Sequence, residues 1–487
     1  MGTGPGEPRA RKLPVLNILE FTDAIYIDPP SNMRRFSLFG ILAVFLVLTG
    51  CDSFVQEVNE PRDAAPAEDF RTPEDINFLA TGVQAQFSEA TAEIVPIADL
   101  LSDQFRFGRN NNDATFPTFR NLDKGAPQLQ SNSVDDALIA LGEYRRLADD
   151  LIGPATNADY GEDPPITQNE ALFTANLHGG IARYYFATYF GLNPRDGGGV
   201  IDQSEFIPAP AMYDSARTKF TRARELVEEG SRNAKILNSV EARSALYAGT
   251  QFGANTGGYS DALQRAADLA ANGLTPEDEA FTIPYTQQQI NGWFFVAGPG
   301  RVQASAQDGN IAEEIGDAYK DASSLRSFPE ILQNNSAESA RVPLTGVTAD
   351  VELVEFDAEG AVDVIQAKYP ERSSNQDFIS WEENHLIRAE LEVRGYDTGD
   401  QSALQLVNEV RGSFGLSALS TLGSGTADQL STIAQERDRT LFATGQRLPD
   451  QRRLDAVDWH LQETVEGTTT WQYLPITTQE RDNNPNL

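Results

Sequence analysis

The stretch Trp381-Glu382-Glu383-Asn384-His385-Leu386-Ile387-Arg388-Ala389-Glu390-Leu391 decides how the fold is read. It sits in the middle of a helix expected near 377–394. The next stretch, Ala403-Leu404-Gln405-Leu406-Val407-Asn408-Glu409-Val410-Arg411, falls in a second helix near 400–413. Two more are read at 427–444 and 450–462. Upstream the signals are sharper. Thr72-Pro73-Glu74-Asp75 combines a cap, a proline at the first helical position and acids in the first turn. Ile76, Leu79, Val83 and Phe87 follow at helical spacing. Ser133 is read as opening another helix, with Leu138, Leu141, Tyr144, Leu147 and Leu151 on one face and Gly153 as its stop. Thr167-Gln168-Asn169-Glu170 is a capping box before a long apolar helix that runs to about Gly191. Further helices are expected at 212–229, 239–252 and 260–272, the last ended by Gly273.

Two regions break this rhythm. Residues 283–345 mix Gly, Pro, Asn and aromatics with little period and read as loops with short helices. Val351-Glu352-Leu353 and Val362-Asp363-Val364-Ile365 flank Asp357-Ala358-Glu359-Gly360 and read as a small hairpin. The helices come in pairs without a repeat of fixed length, and no shift in composition marks a linker. Residues 72–487 therefore read as one large, mostly α domain with a loop-rich insertion.

The chain has 487 residues, with 72 Asp plus Glu against 38 Lys plus Arg and a net charge of −34. Phosphates need a basic surface, so nucleic acid is not an expected partner. Hydrophobic residues make up 40%, enough for a sizeable core. Only six of the 38 bases are lysine, which leaves 32 arginines. Excess carboxylate with scarce lysine is the halophile-like pattern, since salt screens self-repulsion; the plainer alternative is a soluble acidic surface.

The single cysteine excludes an intrachain disulfide framework and any multi-cysteine metal site. Its setting gives it another use. Met33-Arg34-Arg35 is a short positive segment, and Phe36 to Leu48 is an uncharged apolar run, too short to span a bilayer comfortably. The run ends in Leu48-Thr49-Gly50-Cys51, which looks like a bacterial lipobox. Residues 33–50 are thus read as a lipoprotein signal peptide and the Cys51 thiol as the acylated group. Several acyl chains on one cysteine hold a membrane far better than one. Residues 51–71, broken by Pro61 and Pro66, read as the tether. Pro5, Pro8, Pro14, Pro29 and Pro30 do not fit ahead of a signal peptide, so translation is expected to begin at Met33 and residues 1–32 to be an extension of the gene model.

Signs of catalysis are missing. His178, His385 and His460 are the three histidines, and none stands in a metal-ligand spacing. No phosphate loop, nucleophile elbow or dinucleotide-binding glycine pattern occurs. Adjacent carboxylates such as Asp149-Asp150 and Glu228-Glu229 are what 72 acids produce by number alone. A glycosidase needs two acids at no fixed sequence spacing, so pattern leaves that alternative open. The reading is of a protein that is not an enzyme and has no cofactor or metal site; no calcium-loop pattern occurs either.

The motifs line up with one family. Trp381–Leu391 is similar to the Leu-Ile-Arg-Ala-Glu helix of SusD/RagB-type outer-membrane lipoproteins, and Ala403–Arg411 to that family's next helix. Ile433 to Asp455 resembles its following stretch, with Glu436, Arg437, Gly445, Arg447 and Arg453 in place. Tyr473-Leu474-Pro475-Ile476, then Glu480, Asn484 and Pro485, resembles its closing signature. Arg183 to Gly191 and Ala242 to Gly273 resemble its upstream helices. The resemblance spans nearly all of 51–487. The chain departs from the pattern at Ala443-Thr444 and at Leu448-Pro449-Asp450-Gln451, which places it on a distant branch.

The resemblance implies a superhelix of tetratricopeptide-like helix pairs with an irregular ligand-facing part. It implies a lipid-anchored protein at the outer-membrane surface that binds oligosaccharide or peptide nutrients and caps a SusC-like TonB-dependent barrel. Arg411, Arg437 and Arg447 are expected to pair with carboxylates such as Glu390 and Glu436 between helices. Sugars need flat aromatic faces and hydrogen-bonding groups. Two loop segments offer both: Asp103, Phe105, Phe107, Arg109 and Asn111 in one, Trp293 and Phe294 in the other. The alternative is that these aromatics anchor long loops in the core. Of Phe294 and Phe295 one is expected inside, since strand-like neighbours face opposite ways. A helical scaffold without a small-molecule ligand is the rival function.

Overall fold

In the computed structural model of the chain, the capping signals start the helices they announce. Residues 70–107, 117–298, 336–348, 361–454 and 468–487 are described, together with the short pieces 301–302, 304–305, 350, 352–355, 358 and 464–465. The lipobox, Cys51, the tether as far as residue 69, Arg109, Asn111 and His460 lie outside the described residues.

The first helix, α1, runs Pro73–Leu101. The Thr72 hydroxyl accepts the Asp75 N–H at 3.2 Å while the Thr72 N–H donates to Asp75 Oδ2 at 3.1 Å. Two of the N–H groups that a helix start leaves open are thereby satisfied. Ile76, Val83 and Phe87 are buried as their spacing predicts, and Leu79 is half-buried. After α2 (Pro117–Asp123), α3 spans Asn132–Asp150. Its cap is Ser131, whose hydroxyl accepts the Val134 N–H at 3.4 Å, rather than the expected Ser133. Gly153 is not the stop. Leu151 keeps a helical backbone, so the chain passes into α4 (Ile152–Asn157), which contains Gly153.

The capping box at Thr167 and Glu170 opens α5 (Gln168–Tyr189). Then come α6 (Ala209–Arg224), α7 (Arg232–Phe252) and α8 (Ala262–Ala270). Helices α5 and α6 pack closely. Gly180 allows it: a Cβ there would overlap the Phe220 ring. Helices α7 and α8 form the next pair. After the short α9 (Gly292–Val296), α10 (Trp381–Val393) packs on both α11 (Ala403–Ser413) and α12 (Thr426–Thr440). Residues 377–379, expected to begin the α10 helix, instead belong to a strand, Gln376–Ile379, antiparallel to Phe281–Ile283. The last helices are α13 (Arg447–Arg453) and α14 (Thr478–Asn483). The chain is thus a mostly α assembly of tetratricopeptide-like helix pairs.

The small sheet differs from the expected hairpin. Leu353–Val354 and Ala361–Gln366 do not pair with each other; each lies antiparallel to a central strand, Leu344–Thr348. Gly346 in the middle of that strand weakens its local signal, so tertiary pairing rather than propensity makes it a strand.

One large apolar cluster joins α1, α3, α5, α6, α7 and α8 to Trp293, Phe378 and Phe442. Phe87 sits at its centre, stacked on Tyr144 at 5.3 Å and edge-on to His178 and Phe378 at 5.2 Å each. Fully burying a side chain of this kind contributes about 1.5–3 kcal/mol. A smaller cluster of Leu386, Leu406, Val407, Val410 and Ile433 holds α10, α11 and α12 together.

The C-terminal segment Leu474–Pro475 pairs in parallel with Phe190–Gly191, directly after α5. The Ile476 N–H donates to the Gly191 carbonyl at 2.9 Å, and Arg452 lies 4.2 Å over the Tyr473 ring. Asn484 Nδ2 reaches the Ser204 carbonyl at 2.9 Å. The closing signature therefore pins the chain end onto the middle of the molecule.

Candidate ligand-binding face

The segment expected to face a ligand begins where α1 ends. Asp103 has φ of 66°, a left-handed conformation that turns the chain back. The N–H groups of Gln104 and Phe105 then both donate to the Asp99 carbonyl, at 3.0 and 3.3 Å. The turn is clamped from far along the chain. Asp99 Oδ2 accepts the Gly445 N–H at 3.0 Å, and Gln104 Oε1 accepts the Ala443 N–H at 2.7 Å. Arg447 Nε and Gln451 Nε2 donate to the Ser102 carbonyl at 3.0 and 2.9 Å. Burial pushes the Asp99 carboxyl well above the usual carboxylate range, against the opposing pull of the Gly445 N–H and Arg447. The Gly445–Arg447 signature is thus the floor beneath the loop.

This clamp buries the residues that were expected to touch a ligand. Phe105 and Trp293 are each 0% exposed. Their ring centroids lie 4.5 Å apart, and Phe442 stacks on Phe105 at 5.3 Å. Phe107 is buried too, its N–H donating to Asp123 Oδ2 at 2.8 Å. Asp103 is buried and paired with Arg106. In this conformation the three rings have no free face, so they anchor the loops as core residues. The sequence reading of these four as ligand contacts finds no open surface here: Phe105 lies between Trp293 and Phe442, Phe107 is tied to Asp123, and Asp103 is paired with Arg106.

The partly open aromatic surface lies one residue further on. Helix α9 sits directly against α1, and Gly292 permits this: a Cβ there would overlap the Ala92 carbonyl oxygen. Asn291 fixes the start of α9. Its Oδ1 accepts the Trp293 N–H at 2.9 Å, its Nδ2 donates to the Ser374 carbonyl at 2.8 Å, and its N–H donates to the Arg372 carbonyl at 2.8 Å. The same turn brings the exposed Arg372 guanidinium to 5.7 Å from the Phe294 ring centre and 5.5 Å from that of Phe295. The two rings meet edge-on at 5.5 Å, and both are half-buried. The expectation that one of them is core and the other exposed rested on strand geometry. On a helical turn they stay on neighbouring faces, and Trp293 is the residue that goes inside. Nothing in the sequence pointed to Arg372, which arrives through the turn that Asn291 holds.

The signature arginines pair with carboxylates between helices. Arg411 Nη1 donates to Glu436 Oε1 at 2.6 Å, as expected. Arg437 pairs with Asp450 and Arg447 with Asp438, while Glu390 takes Arg453 at 2.6 Å and Arg394 at 2.9 Å. Asp450 belongs to the stretch read as an interruption of the family pattern; it keeps the acid in place. Among the described residues, no group of three or more His, Cys, Asp or Glu is placed to hold a metal ion. Nor is any described helix long and apolar enough to cross a membrane.

No family model matches the chain, and no curated protein sequence does. Solved structures do. A SusD homolog from Bacteroides thetaiotaomicron has a TM-score of 0.62 at 12% identity, covering 87% of this chain and 98% of its own. NanU of B. fragilis has 0.61 at 12% identity, covering 88% and 98%. A surface glycan-binding protein from B. thetaiotaomicron has 0.58 at 13% identity, covering 86% and 98%. Over most of its length the chain therefore has the fold of the SusD superfamily.

Proposed function

We propose that this chain is a cell-surface lipoprotein, anchored through Cys51, that binds oligosaccharide or peptide nutrients and delivers them to a SusC-like TonB-dependent outer-membrane barrel. The observation that carries the reading is the SusD-type fold over nearly nine-tenths of the chain, shared with a surface glycan-binding protein. The half-buried Phe294 and Phe295 beside the Arg372 guanidinium supply the kind of surface that a sugar ring or a peptide side chain packs on. Arg109 and Asn111 remain the proposed polar contacts. The test has two arms. Affinity capture from solubilised native outer membranes recovers a TonB-dependent barrel, and its absence sinks the transport reading. Titration calorimetry across glycans and peptides gives heat that Phe294→Ala reduces.

The burial of Phe105, Phe107 and Trp293 supports the rival reading, a helical scaffold without a small-molecule ligand. That reading predicts no heat with any member of the panel.

A further inference from the structure

A second groove lies away from the loops, between α1, α5 and α7. It encloses about 380 Å³ and is lined by Asn77 and Gln84 of α1, Glu170, Phe173 and His178 of α5, Arg232 and Asn233 of α7, and Phe281. That volume falls within the roughly 300–1,000 Å³ of small-ligand sites.

The lining sorts into committed and uncommitted groups. The two charges are committed. Glu170 accepts both the N–H and the hydroxyl of Thr167 at 2.8 Å, closing the α5 capping box. Arg232 donates to the Ala280 and Glu279 carbonyls at 3.1 and 3.5 Å. The uncommitted groups are neutral. Among the described residues the side-chain amides of Asn77, Gln84 and Asn233 have no protein partner, and all three are exposed. His178 is the unusual one. It is 3% exposed, and its Nδ1 is tied to the Tyr144 hydroxyl at 2.7 Å on the inner side. Its other nitrogen, Nε2, has no partner among the described residues. With one nitrogen engaged and the other open, the neutral ring can make one further hydrogen bond. Burial also keeps the ring neutral, holding its pKa down at about 3. Phe281 adds an aromatic surface at the edge of the groove and is itself braced by Phe87 at 6.2 Å and Phe378 at 5.9 Å.

From these residues we infer that the groove is a binding site for a neutral saccharide, with Phe281 packing against the C–H face of a ring and His178 Nε2, Asn77, Gln84 and Asn233 hydrogen-bonding its hydroxyls. An ionic ligand is not favoured, because the lining carries one acid and one base, Glu170 and Arg232, and so no net charge. Neutral amides and an aromatic ring are what a polyhydroxylated ligand without charge requires. The inference stands on this groove and is independent of the face around Phe294.

The experiment uses the full chain and a panel of maltose, cellobiose, xylobiose and N,N′-diacetylchitobiose, read by titration calorimetry and by NMR of the histidine side chains. At least one disaccharide gives heat and shifts the His178 imidazole resonances. Asn77→Ala combined with Asn233→Ala, both on the surface, removes two hydrogen bonds and weakens that binding about tenfold with Tm unchanged. Phe294→Ala leaves it unaltered. Absence of heat with every disaccharide, or wild-type affinity in the Asn77/Asn233 variant, overturns the site. The loop face is read on the Asn77/Asn233 double variant: heat that remains there with glycans or peptides is the heat that Phe294→Ala removes, and its absence sinks the loop face while leaving the groove standing.

Discussion

Arg437 donates to both oxygens of the Asp450 carboxylate, Nε to Oδ2 at 2.8 Å and Nη2 to Oδ1 at 3.3 Å, with both residues buried. Arg453 joins them through Nη2, 2.6 Å from Asp450 Oδ1, and carries the chain of charges on to Glu390 at 2.6 Å. Burial alone would raise the Asp450 carboxyl; the two guanidinium groups outweigh it and hold it below its usual range. Placing such a group inside gains little over apolar packing, but breaking it strands a charge. Asp450→Asn leaves Arg437 and Arg453 underpaired, and urea unfolding is expected to show a loss of about 3–5 kcal/mol. A loss below ~1 kcal/mol would show the cluster to be water-accessible and the fold indifferent to it.

How far the sequence reached follows from the range of each interaction. Thr72 with Asp75 and Thr167 with Glu170 are three residues apart, so both helix starts were legible as written, the second as a capping box. Arg411 with Glu436 was legible because a resemblance supplied the pairing of the helices. Trp293 was not. Its burial depends on Phe105 and Phe442, which arrive from opposite ends of the chain through the clamp of Asp99 onto Gly445. An aromatic in a Gly- and Asn-rich stretch looks the same in sequence whether it covers a ligand or a core. Leu344–Thr348 was lost for a related reason: the strand exists because two other strands flank it.

Glu93 lies on α1 beside an acidic groove shared with Glu89, Asp136 and Glu143. Burial, then repulsion from Glu89 and Asp136, raises its pKa to about 7. A carboxyl raised on folding contributes stability below its unfolded pKa near 4.5 and loses it as pH rises through 7. Glu93→Gln is therefore expected to stabilise the protein at pH 8, by ~1–3 kcal/mol, and to make little difference at pH 4. Unfolding curves at the two pH values decide it; an equal effect at both would show that Glu93 titrates normally.

His178 has the opposite sign. It is a base whose pKa burial depresses from 6.5 to about 3. The unfolded chain takes up a proton below pH 6.5 that the folded chain refuses, so this contribution is whole above pH 6.5 and falls away between pH 6.5 and 3. The slope approaches about 1.4 kcal/mol per pH unit. NMR at pH 5 is expected to find the imidazole neutral in the folded protein. In His178→Gln the stability curve should be flatter across that window; an unchanged slope would mean that other groups carry it.

Trp293 and Phe294 are adjacent, yet their substitutions are expected to do different things. Trp293 is fully enclosed against Phe105, and truncating a packed aromatic costs about 3–5 kcal/mol through lost burial and the cavity left behind. Trp293→Ala should therefore lower the unfolding midpoint sharply, and whatever it does to ligand binding should follow the fraction of folded protein. Phe294 is half-buried, in contact with Phe295 and near Arg372. Its loss should cost stability on the order of 1 kcal/mol, since an exposed cation–π contact is worth only ~0.5–1 kcal/mol. It should weaken glycan or peptide binding instead. Measuring Tm and affinity on both variants separates core from ligand face: if Phe294→Ala destabilises as much as Trp293→Ala while binding is retained, the half-buried ring is another anchor and the ligand face lies elsewhere.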